Sequence, residues 1–259
     1  QYGNCKKLPL SVAKKLSFAD PYACAIFQLE RMEDLGEAQN FRVEMAKNKC
    51  SEEEARKLAK ENIFSKTVVF GLGMTGLFIA DQIRRNHPDA KILFVGRSSE
   101  ESKKVAFSKE IVNAGYLCTA GLSEEETAEK IIKKIGGRAT MFVGTSGSNV
   151  EHRIAFQYKV LGCNGIYNSF SLGPKVEYDT MPFGFENHLI FASINFRQSH
   201  MEKAIEVLVD SRYDEVVELI DKEEFIKDPL DAYENKIFCK GAPLKTGVIW
   251  NKKYIDEDK

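Results

Sequence analysis

One stretch, residues 66–98, restricts the possible folds of this chain more than any other. Two apolar runs, at residues 67–70 and 92–95, flank the turn Gly71-Leu-Gly-Met-Thr-Gly76 and a helical pattern. A strand, a G-x-G-x-x-G turn, a helix and a second strand within about thirty residues are typical of a dinucleotide site. We therefore interpret the stretch as such a site, with a purely structural glycine turn as the alternative.

The three glycines of the turn have different expected tasks. Gly71 lets the chain leave the strand in a tight turn, Gly73 lets a pyrophosphate approach the backbone, and Gly76 lets the helix pack close to the sheet. The free N–H groups and the positive dipole end of the helix then bind the phosphates. The predicted cofactor contacts of this turn are Gly71, Leu72, Gly73, Met74, Thr75 and Gly76.

The end of the second strand bears on which cofactor is bound. NAD-binding units usually have Asp or Glu there, which accepts a hydrogen bond from the ribose 2′-hydroxyl. This chain has no carboxylate at that point, and Arg97 with two neighbouring serines is suited to a 2′-phosphate. We predict NADP rather than NAD, with a solvated loop as the alternative. The residues assigned to this part of the site are Gly96, Arg97, Ser98 and Ser99.

The rest of the chain alternates short apolar runs with helical patterns. This alternation predicts an α/β fold, a Rossmann doubly wound parallel sheet with helices on both faces. A glycine- and serine-rich loop follows the fourth predicted strand, at the edge where such sheets bind ligands. We predict that Gly144, Thr145 and Ser146 pass under the nicotinamide ribose, with an ordinary polar loop as the alternative.

The remaining segments give less specific predictions. Residues 1–20 read as extended or loop, Asp20 as the N-cap of a helix that ends near Gly36, and residues 37–50 as ambiguous. Capping boxes at Ser51 and Ser123 predict two helix starts. Further strands are expected at residues 116–119, 140–143, 165–168, 188–194 and 246–250, helices at 100–114, 150–161, 199–210, 214–220 and 228–238, and a long turn-rich segment at 169–187.

Composition excludes some classes of protein. The 259 residues are 43% hydrophobic and carry a net charge of −1, which argues against a nucleic-acid or membrane partner. No apolar run approaches the length of about 18 residues that a transmembrane helix needs. The six cysteines are scattered without metal-ligand spacing, which predicts reduced, mostly buried thiols in a cytoplasmic protein.

Four motifs follow one another along the chain: Asp20-Pro-Tyr-Ala23, Gly71-Leu-Gly-Met-Thr-Gly76, Val95-Gly-Arg-Ser98 and the segment from Ser193 to Ala204 that contains Asn195 and His200. Their order resembles the cofactor-binding half of the medium-chain dehydrogenases, most closely the archaeal glucose dehydrogenase branch. The resemblance covers about residues 8–251, and its glycine turn is the one motif that is specific by itself.

This resemblance implies that Asn195 lies by the nicotinamide and that the protein forms a homo-oligomer. The family has a GroES-like catalytic domain upstream of the position of Asp20, which supplies most zinc ligands and the substrate pocket, and this chain does not contain it. Asp20 is then a weak metal candidate by itself, and zinc is expected only from a missing domain. The chain begins with Gln1, so we expect a piece of a longer protein. The expected division is 1–36 for the N-terminal segment and the helix leading into the nucleotide domain, 37–251 for the NAD(P)-binding domain, and 252–259 for a charged tail.

Three functions remain open from the sequence. The first is an NADP-dependent oxidoreductase that transfers hydride between a nicotinamide and a sugar, polyol or other alcohol, lacking here its zinc domain. The second is a stand-alone NADP(H)-binding module or subunit without dehydrogenase activity. The third is another, metal-free enzyme whose acid or base is Tyr167, Tyr178, His188 or His200, although the sequence pairs none of these with a second group.

Overall fold

The structure, a computed structural model, describes residues 10–171, 173, 180–225, 230 and 245–249. The chain divides into two compact units. The larger unit is Cys24–Arg197, and the smaller combines Gln1–Ala23 with Gln198–Lys259.

The larger unit contains a six-stranded sheet in which all neighbouring strands are parallel. The strands are β1 Thr67–Phe70, β2 Ile92–Gly96, β3 Gly115–Cys118, β4 Ala139–Gly144, β5 Leu161–Ser169 and β6 Leu189–Phe191. Their order in the sheet is β3-β2-β1-β4-β5-β6. This order is that of a Rossmann sheet, so the predicted doubly wound α/β fold is confirmed.

Helices connect the strands of this sheet. In chain order the described helices are α1 Leu10–Leu16, α2 Ala19–Asn48, α3 Glu52–Asn62, α4 Met74–Asn86, α5 Lys103–Glu110, α6 Glu124–Ile135, α7 Asn149–His152 with a π-helical continuation Arg153–Gln157, α8 Thr180–Phe185 and α9 Gln198–Leu208. Ser51 and Ser123 cap α3 and α6 as predicted, because each hydroxyl accepts from the N–H of the glutamate three residues later.

The sheet register positions the candidate site. Phe70 lies opposite Val95 on one side and Gly144 on the other, so β1, β2 and β4 end side by side. The strand order reverses between β1 and β4, and such a switch point leaves a crevice outside the carboxyl ends of the strands. The glycine turn, the Gly96–Ser99 loop and the Gly144–Ser148 loop therefore leave the sheet at one edge.

Helix α2 is longer than the sequence indicates. The predicted end at Gly36 is wrong, and residues 37–48 continue the helix. Gly36 is a packing glycine, because a Cβ there would lie 3.0 Å from Ile63 Cγ2. Beyond it, Glu37 pairs with Arg56 at 2.8 Å and with Lys60 at 3.0 Å, so contacts with α3 support this charged stretch.

Strand β5 and the segments beside it also differ from the prediction. The helix expected at 150–161 ends before Lys159, which has a φ of 54°, and β5 begins at Leu161 rather than residue 165. Strand β5 bulges: Ala139 of β4 pairs with Leu161, but Met141, two residues on, pairs with Ile166, five residues on. Helix α8 lies within the segment predicted to be rich in turns, 169–187, of which residues 172 and 174–179 lie outside the described residues. Strand β6 is shorter than the predicted strand.

In the smaller unit, α1 stands at residues 10–16 of the segment predicted to be extended or loop, whose residues 1–9 lie outside the described residues. Lys15 is buried and donates to Asp214 at 2.7 Å and to the Val209 carbonyl at 3.2 Å, so it is not part of a solvated loop. Tyr22 and Tyr213 are buried, and their hydroxyl oxygens lie 2.9 Å apart. These contacts join α1 and the start of α2 to the segment that follows α9.

The end of the smaller unit differs from the prediction too. The helix predicted at 214–220 is a 3₁₀ helix, Ser211–Leu219, followed by strand β7, Ile220–Phe225. Strand β7 pairs in parallel with β8, Lys245–Ile249, which corresponds to the strand predicted at 246–250. Residue 250 and the helix predicted at 228–238, apart from Leu230, lie outside the described residues.

No helix among the described residues is long and apolar enough to cross a membrane. The prediction of mostly buried thiols is wrong for the four described cysteines, all of which are free. Cys24 is buried, Cys50 and Cys118 are partly exposed, and Cys163 is exposed. Cys163 lies in the bulged part of β5, which explains its exposure.

Candidate functional site

The turn between β1 and α4 requires glycine at its first position. Gly71 has a φ of +114°, and its N–H donates to the Val95 carbonyl at 2.8 Å. A Cβ on Gly71 would lie 2.6 Å from Thr145 Oγ1. Both the backbone conformation and the lack of space therefore exclude a side chain.

The third glycine lies where α4 approaches β1. A Cβ on Gly76 would be 2.5 Å from the Gly71 carbonyl oxygen and 3.2 Å from Val69 Cγ1. Gly76 is also buried. The close helix–strand packing expected of this glycine is thus confirmed.

The middle glycine, Gly73, faces open space. It is the N-cap residue of α4, with φ −91° and ψ 172°, and no side chain caps the helix there. A Cβ on Gly73 would meet no atom of the described residues within 4 Å, and the first turn of α4 carries no acidic residue. An open helix N-terminus without a competing carboxylate fits an anionic group such as a pyrophosphate.

The loop after β2 is fastened to the end of β3. The Gly96 carbonyl accepts from Thr119 N–H at 2.8 Å and from Thr119 Oγ1 at 3.2 Å. The Ser98 carbonyl accepts from Tyr116 Oη at 2.7 Å, and burial raises the pKa of Tyr116 to about 12. Arg97, between these two carbonyls, is exposed.

The loop after β4 is fastened to the end of β1. The Thr145 N–H donates to the Phe70 carbonyl at 2.9 Å. Its hydroxyl lies 3.0 Å from the same oxygen and 3.1 Å from the Gly71 carbonyl oxygen. Thr145 therefore connects two of the predicted cofactor-binding loops.

Sequence reasoning missed Glu151, a fully buried carboxylate beside this loop. Its Oε2 accepts from the Ser146 N–H at 3.0 Å and the Ser146 hydroxyl at 2.7 Å, and its Oε1 accepts from Ser171 Oγ at 2.9 Å. The sequence Ser148-Asn-Val-Glu151 resembles a capping box, and this pattern could have drawn attention to Glu151. The Ser148 hydroxyl does cap the helix, but the Glu151 carboxylate binds Ser146 and Ser171 instead.

The segment that contains Asn195 is held by α2. Gln28 Nε2 donates to the Ser193 carbonyl, and Cys24 Sγ lies 3.4 Å from the Ile194 carbonyl oxygen. Gln28 Oε1 in turn accepts from Asn168 Nδ2 at 3.0 Å. Asn195 itself is exposed and follows β6 at the same edge of the parallel sheet as the three loops.

Two of the acid–base candidates, Tyr167 and His188, are described residues of the larger unit. Tyr167 is fully buried in β5, with its ring 5.3 Å from Phe142. His188 precedes β6, at the opposite edge, and its Nε2 lies 3.1 Å from the Gly162 carbonyl oxygen. Burial lowers the pKa of His188. His200 is buried in α9 of the smaller unit, and Tyr178 lies outside the described residues.

The weak metal candidate, Asp20, is exposed. Its predicted N-cap role is wrong, because α2 already begins at Ala19 and includes Asp20 in its first turn. Within the described ranges, no group of three or more His, Cys, Asp or Glu residues is arranged to hold a metal ion. These residues therefore do not fit a catalytic zinc, which takes about three protein ligands.

Comparison with solved structures finds zinc-containing and related dehydrogenases at low sequence identity. Haloferax mediterranei glucose dehydrogenase, in complex with NADP, Zn and gluconolactone, matches with a TM-score of 0.63 and 12% identity over 91% of this chain and 58% of that chain. Escherichia coli L-idonate 5-dehydrogenase matches with a TM-score of 0.64 and 14% identity, over 92% and 57%. Bacillus subtilis 2R,3R-butanediol dehydrogenase matches with a TM-score of 0.61 and 16% identity, over 91% and 57%.

At these identities the similarity concerns the fold. The present chain spans 57% or 58% of the length of these three proteins. No protein-family model matches the sequence, and neither does any curated protein.

Proposed function

We propose that this chain binds NADP(H) at the carboxyl ends of the strands of its six-stranded sheet. The observation that carries the proposal is Gly73, which leaves the N-terminus of α4 open between the fastened ends of β1, β2 and β4. A dinucleotide is the anionic ligand that fits a glycine turn at the switch point of such a sheet.

The proposed contacts follow the three loops. The turn Gly71–Gly76 would bind the pyrophosphate, and the Gly144–Ser146 loop would lie under the nicotinamide ribose. Asn195 would contact the nicotinamide. The Thr145 hydroxyl and the Ser146 N–H and hydroxyl donate to protein acceptors, so we propose that both residues mainly hold this loop in shape.

The proposed preference for NADP rests on the loop after β2. Residues 96–99 contain no carboxylate that would select a ribose 2′-hydroxyl. The exposed Arg97, with Ser98 and Ser99 beside it, is suited to a 2′-phosphate through charge-assisted hydrogen bonds.

We further propose that the chain is the cofactor-binding part of an oxidoreductase of the medium-chain dehydrogenase type. When bound, the nicotinamide supplies hydride chemistry, and the substrate class would be sugars, polyols or other alcohols. The support is the fold shared with dehydrogenases and the order of the four motifs. The protein would act in the cytoplasm, where free thiols stay reduced.

The proposed binding of NADP(H) does not require zinc. The metal and the substrate pocket would come from a separate or missing catalytic domain, because Asp20 alone cannot hold a catalytic zinc. We propose that the junction with that domain lies in the N-terminal part of the chain, ahead of the unit Cys24–Arg197 that contains the six-stranded sheet.

The proposal is tested with Gly73→Val and the control Gly184→Val. A Cβ at either glycine meets no atom within 4 Å in the part of the chain that the structure describes, but Gly184 lies in α8 and precedes β6, away from the carboxyl ends of the strands. We expect Gly73→Val to abolish binding of NADPH and NADH by obstructing the pyrophosphate, with an unchanged circular dichroism spectrum. The control should bind like the wild type.

Undiminished binding by a folded Gly73→Val protein would show that this turn is not the site. Binding that stays intact without turnover, even after addition of a catalytic partner domain, would favour the stand-alone NADP(H)-binding module.

A further inference from the structure

We propose that Tyr116 and Thr119, at the end of β3, are positioning residues that set the preference for a 2′-phosphate. They would do so by fixing the backbone on both sides of Arg97. This inference rests on the proposed NADP(H) site and concerns two residues that would not contact the cofactor's reactive ring.

Thr119 fixes the residue before Arg97. Its N–H and its hydroxyl both donate to the Gly96 carbonyl, at 2.8 Å and 3.2 Å. Gly96 is also the last residue of β2 and pairs with Cys118 of β3. The sheet ladder therefore continues one residue further through Thr119.

Tyr116 fixes the residue after Arg97. The side chain is 5% exposed, and its hydroxyl donates to the Ser98 carbonyl at 2.7 Å. The same hydroxyl lies 3.5 Å from the position that a Cβ on Gly96 would take. The hydroxyl therefore lies against the loop on both sides of Arg97. It is protonated at neutral pH, as a tyrosine ordinarily is, and burial raises its pKa further, to about 12.

Arg97 is thus an exposed side chain on a stretch of backbone that is hydrogen-bonded on both sides. An exposed arginine loses considerable rotamer entropy when it binds a phosphate. A backbone already held in the binding geometry removes part of the remaining ordering cost, which raises affinity without any new contact to the ligand. This gain applies to a ligand that Arg97 contacts, so it favours a 2′-phosphate and leaves the rest of the dinucleotide unaffected.

The first test variant is Tyr116→Phe, which removes one hydroxyl and keeps the ring. The matched control is Tyr158→Phe, at an exposed tyrosine that follows the π-helical turn. Dissociation constants are measured for NADPH, NADH and 2′,5′-ADP. We expect Tyr116→Phe to weaken NADPH and 2′,5′-ADP binding by up to about tenfold, the limit set by the net free energy of one intramolecular hydrogen bond, and to leave NADH binding unchanged.

A double-mutant cycle with Arg97→Ala distinguishes positioning from general destabilisation. In the Arg97→Ala background, Tyr116→Phe should no longer alter NADPH binding. Thr119→Val, which removes the hydroxyl bond and keeps the N–H bond, should give a smaller selective loss and provides a second test if Tyr116→Phe does not fold.

The outcomes separate the two proposals. If the wild type binds neither nucleotide, the proposed function fails. If Arg97→Ala reduces NADPH binding selectively but Tyr116→Phe and Thr119→Val change nothing, or weaken NADPH and NADH equally, the positioning role is overturned.

Discussion

At the scale of single residues, the three glycines of the β1–α4 turn differ in what surrounds them. Gly71 and Gly76 are enclosed by protein atoms, with the nearest contacts of an added Cβ at 2.6 Å and 2.5 Å. An added Cβ on Gly73 would have no neighbour within 4 Å among the described residues. Two glycines therefore serve the fold, and the middle one borders a space that these residues leave open.

Arg97 provides the residue-scale prediction. We expect Arg97→Ala to weaken NADPH binding by roughly 1.5–3 kcal/mol, because a hydrogen bond to a charged group typically contributes that much. NADH binding should hardly change. Isothermal titration calorimetry with both nucleotides checks this.

Lys134→Ala is the matched control for Arg97→Ala. Lys134 is exposed near the end of α6, which leads to the amino end of β4 at the opposite edge of the sheet. Equal losses for NADPH and NADH in Arg97→Ala would refute a phosphate contact.

At the scale of elements, the loops after β1, β2 and β4 lie side by side, and each is hydrogen-bonded to a neighbouring strand or loop. Thr145 joins the β4 loop to β1, and Glu151 joins that loop to Ser171 after β5. A Cβ on Gly144 would collide with Tyr167 Oη and lie 2.8 Å from Glu151 Oε1. The end of β4 is thus packed against side chains that a bulkier residue would displace.

Glu151 gives the element-scale prediction. Glu151→Leu should lower the free energy of unfolding by about 2–4 kcal/mol, because it leaves the Ser146 and Ser171 donors without their acceptor. NADPH binding should weaken through the loosened loop, while 2′,5′-ADP, which lacks the nicotinamide half, should bind normally. Urea titration and ligand titration measure the two effects.

Glu151→Gln is the conservative comparison, since an amide still offers one acceptor oxygen to Ser146. It should cost clearly less than Glu151→Leu. Equal stability of Glu151→Leu and the wild type would mean that the buried carboxylate does not hold the loop.

The elements around the site were predictable because their signals are local. The apolar runs of β1, β2 and β4 are bounded by glycine or polar residues, and the caps at Ser51 and Ser123 need only the following turn. The tasks of Gly71 and Gly76 likewise follow from the spacing of the turn.

The features that were missed depend on contacts distant in sequence. Gly36 reads as a helix end until Ile63 is placed against it. Lys15 reads as part of a loop until Asp214 and Val209 are placed beside it. Strand β7 has the sequence Ile-Asp-Lys-Glu-Glu-Phe, in which four of six residues are charged, so only its pairing with β8 reveals a strand.

At the scale of the whole molecule, two histidines that are partly or fully removed from water predict how stability depends on pH. Burial lowers the pKa of His152, and the charge of Glu151 partly opposes this shift. Burial also lowers the pKa of His188, where Glu186 opposes the shift and Arg138 adds to it. In the unfolded chain both pKa values return to about 6.5. Below that pH these two histidines are protonated more in the unfolded chain than in the folded protein, so the free energy of unfolding falls as the pH drops.

We therefore expect a lower unfolding temperature at pH 5.5 than at pH 7.5. His188→Asn, compared with the wild type at the same two values, should show a smaller difference. A larger difference in the variant, or greater stability at pH 5.5, would contradict the assignment of neutral buried rings.

The outermost strand of the sheet, β6, predicts self-association with a second copy of the chain. Among the described strands, β6 pairs only with β5 and ends the sheet. Phe185, just before it, is 84% exposed, and Met181 is 68% exposed. An open strand edge beside exposed apolar side chains favours pairing with another chain.

Light scattering after size-exclusion chromatography measures this association. We expect a dimer or larger oligomer for the wild type and a shift toward monomer for Phe185→Lys. Glu125→Lys, an exposed change on α6, is the control and should leave the mass unchanged. A monomeric wild type at micromolar concentration would refute the prediction.

The most direct test of the central proposal is a titration of this chain with NADPH and then NADH, followed by nicotinamide fluorescence. We predict saturable NADPH binding and NADH binding at least about tenfold weaker, as expected for the loss of one charge-assisted contact. Failure of both nucleotides to bind would contradict the account, because the open glycine turn would then be part of a fold that holds no dinucleotide.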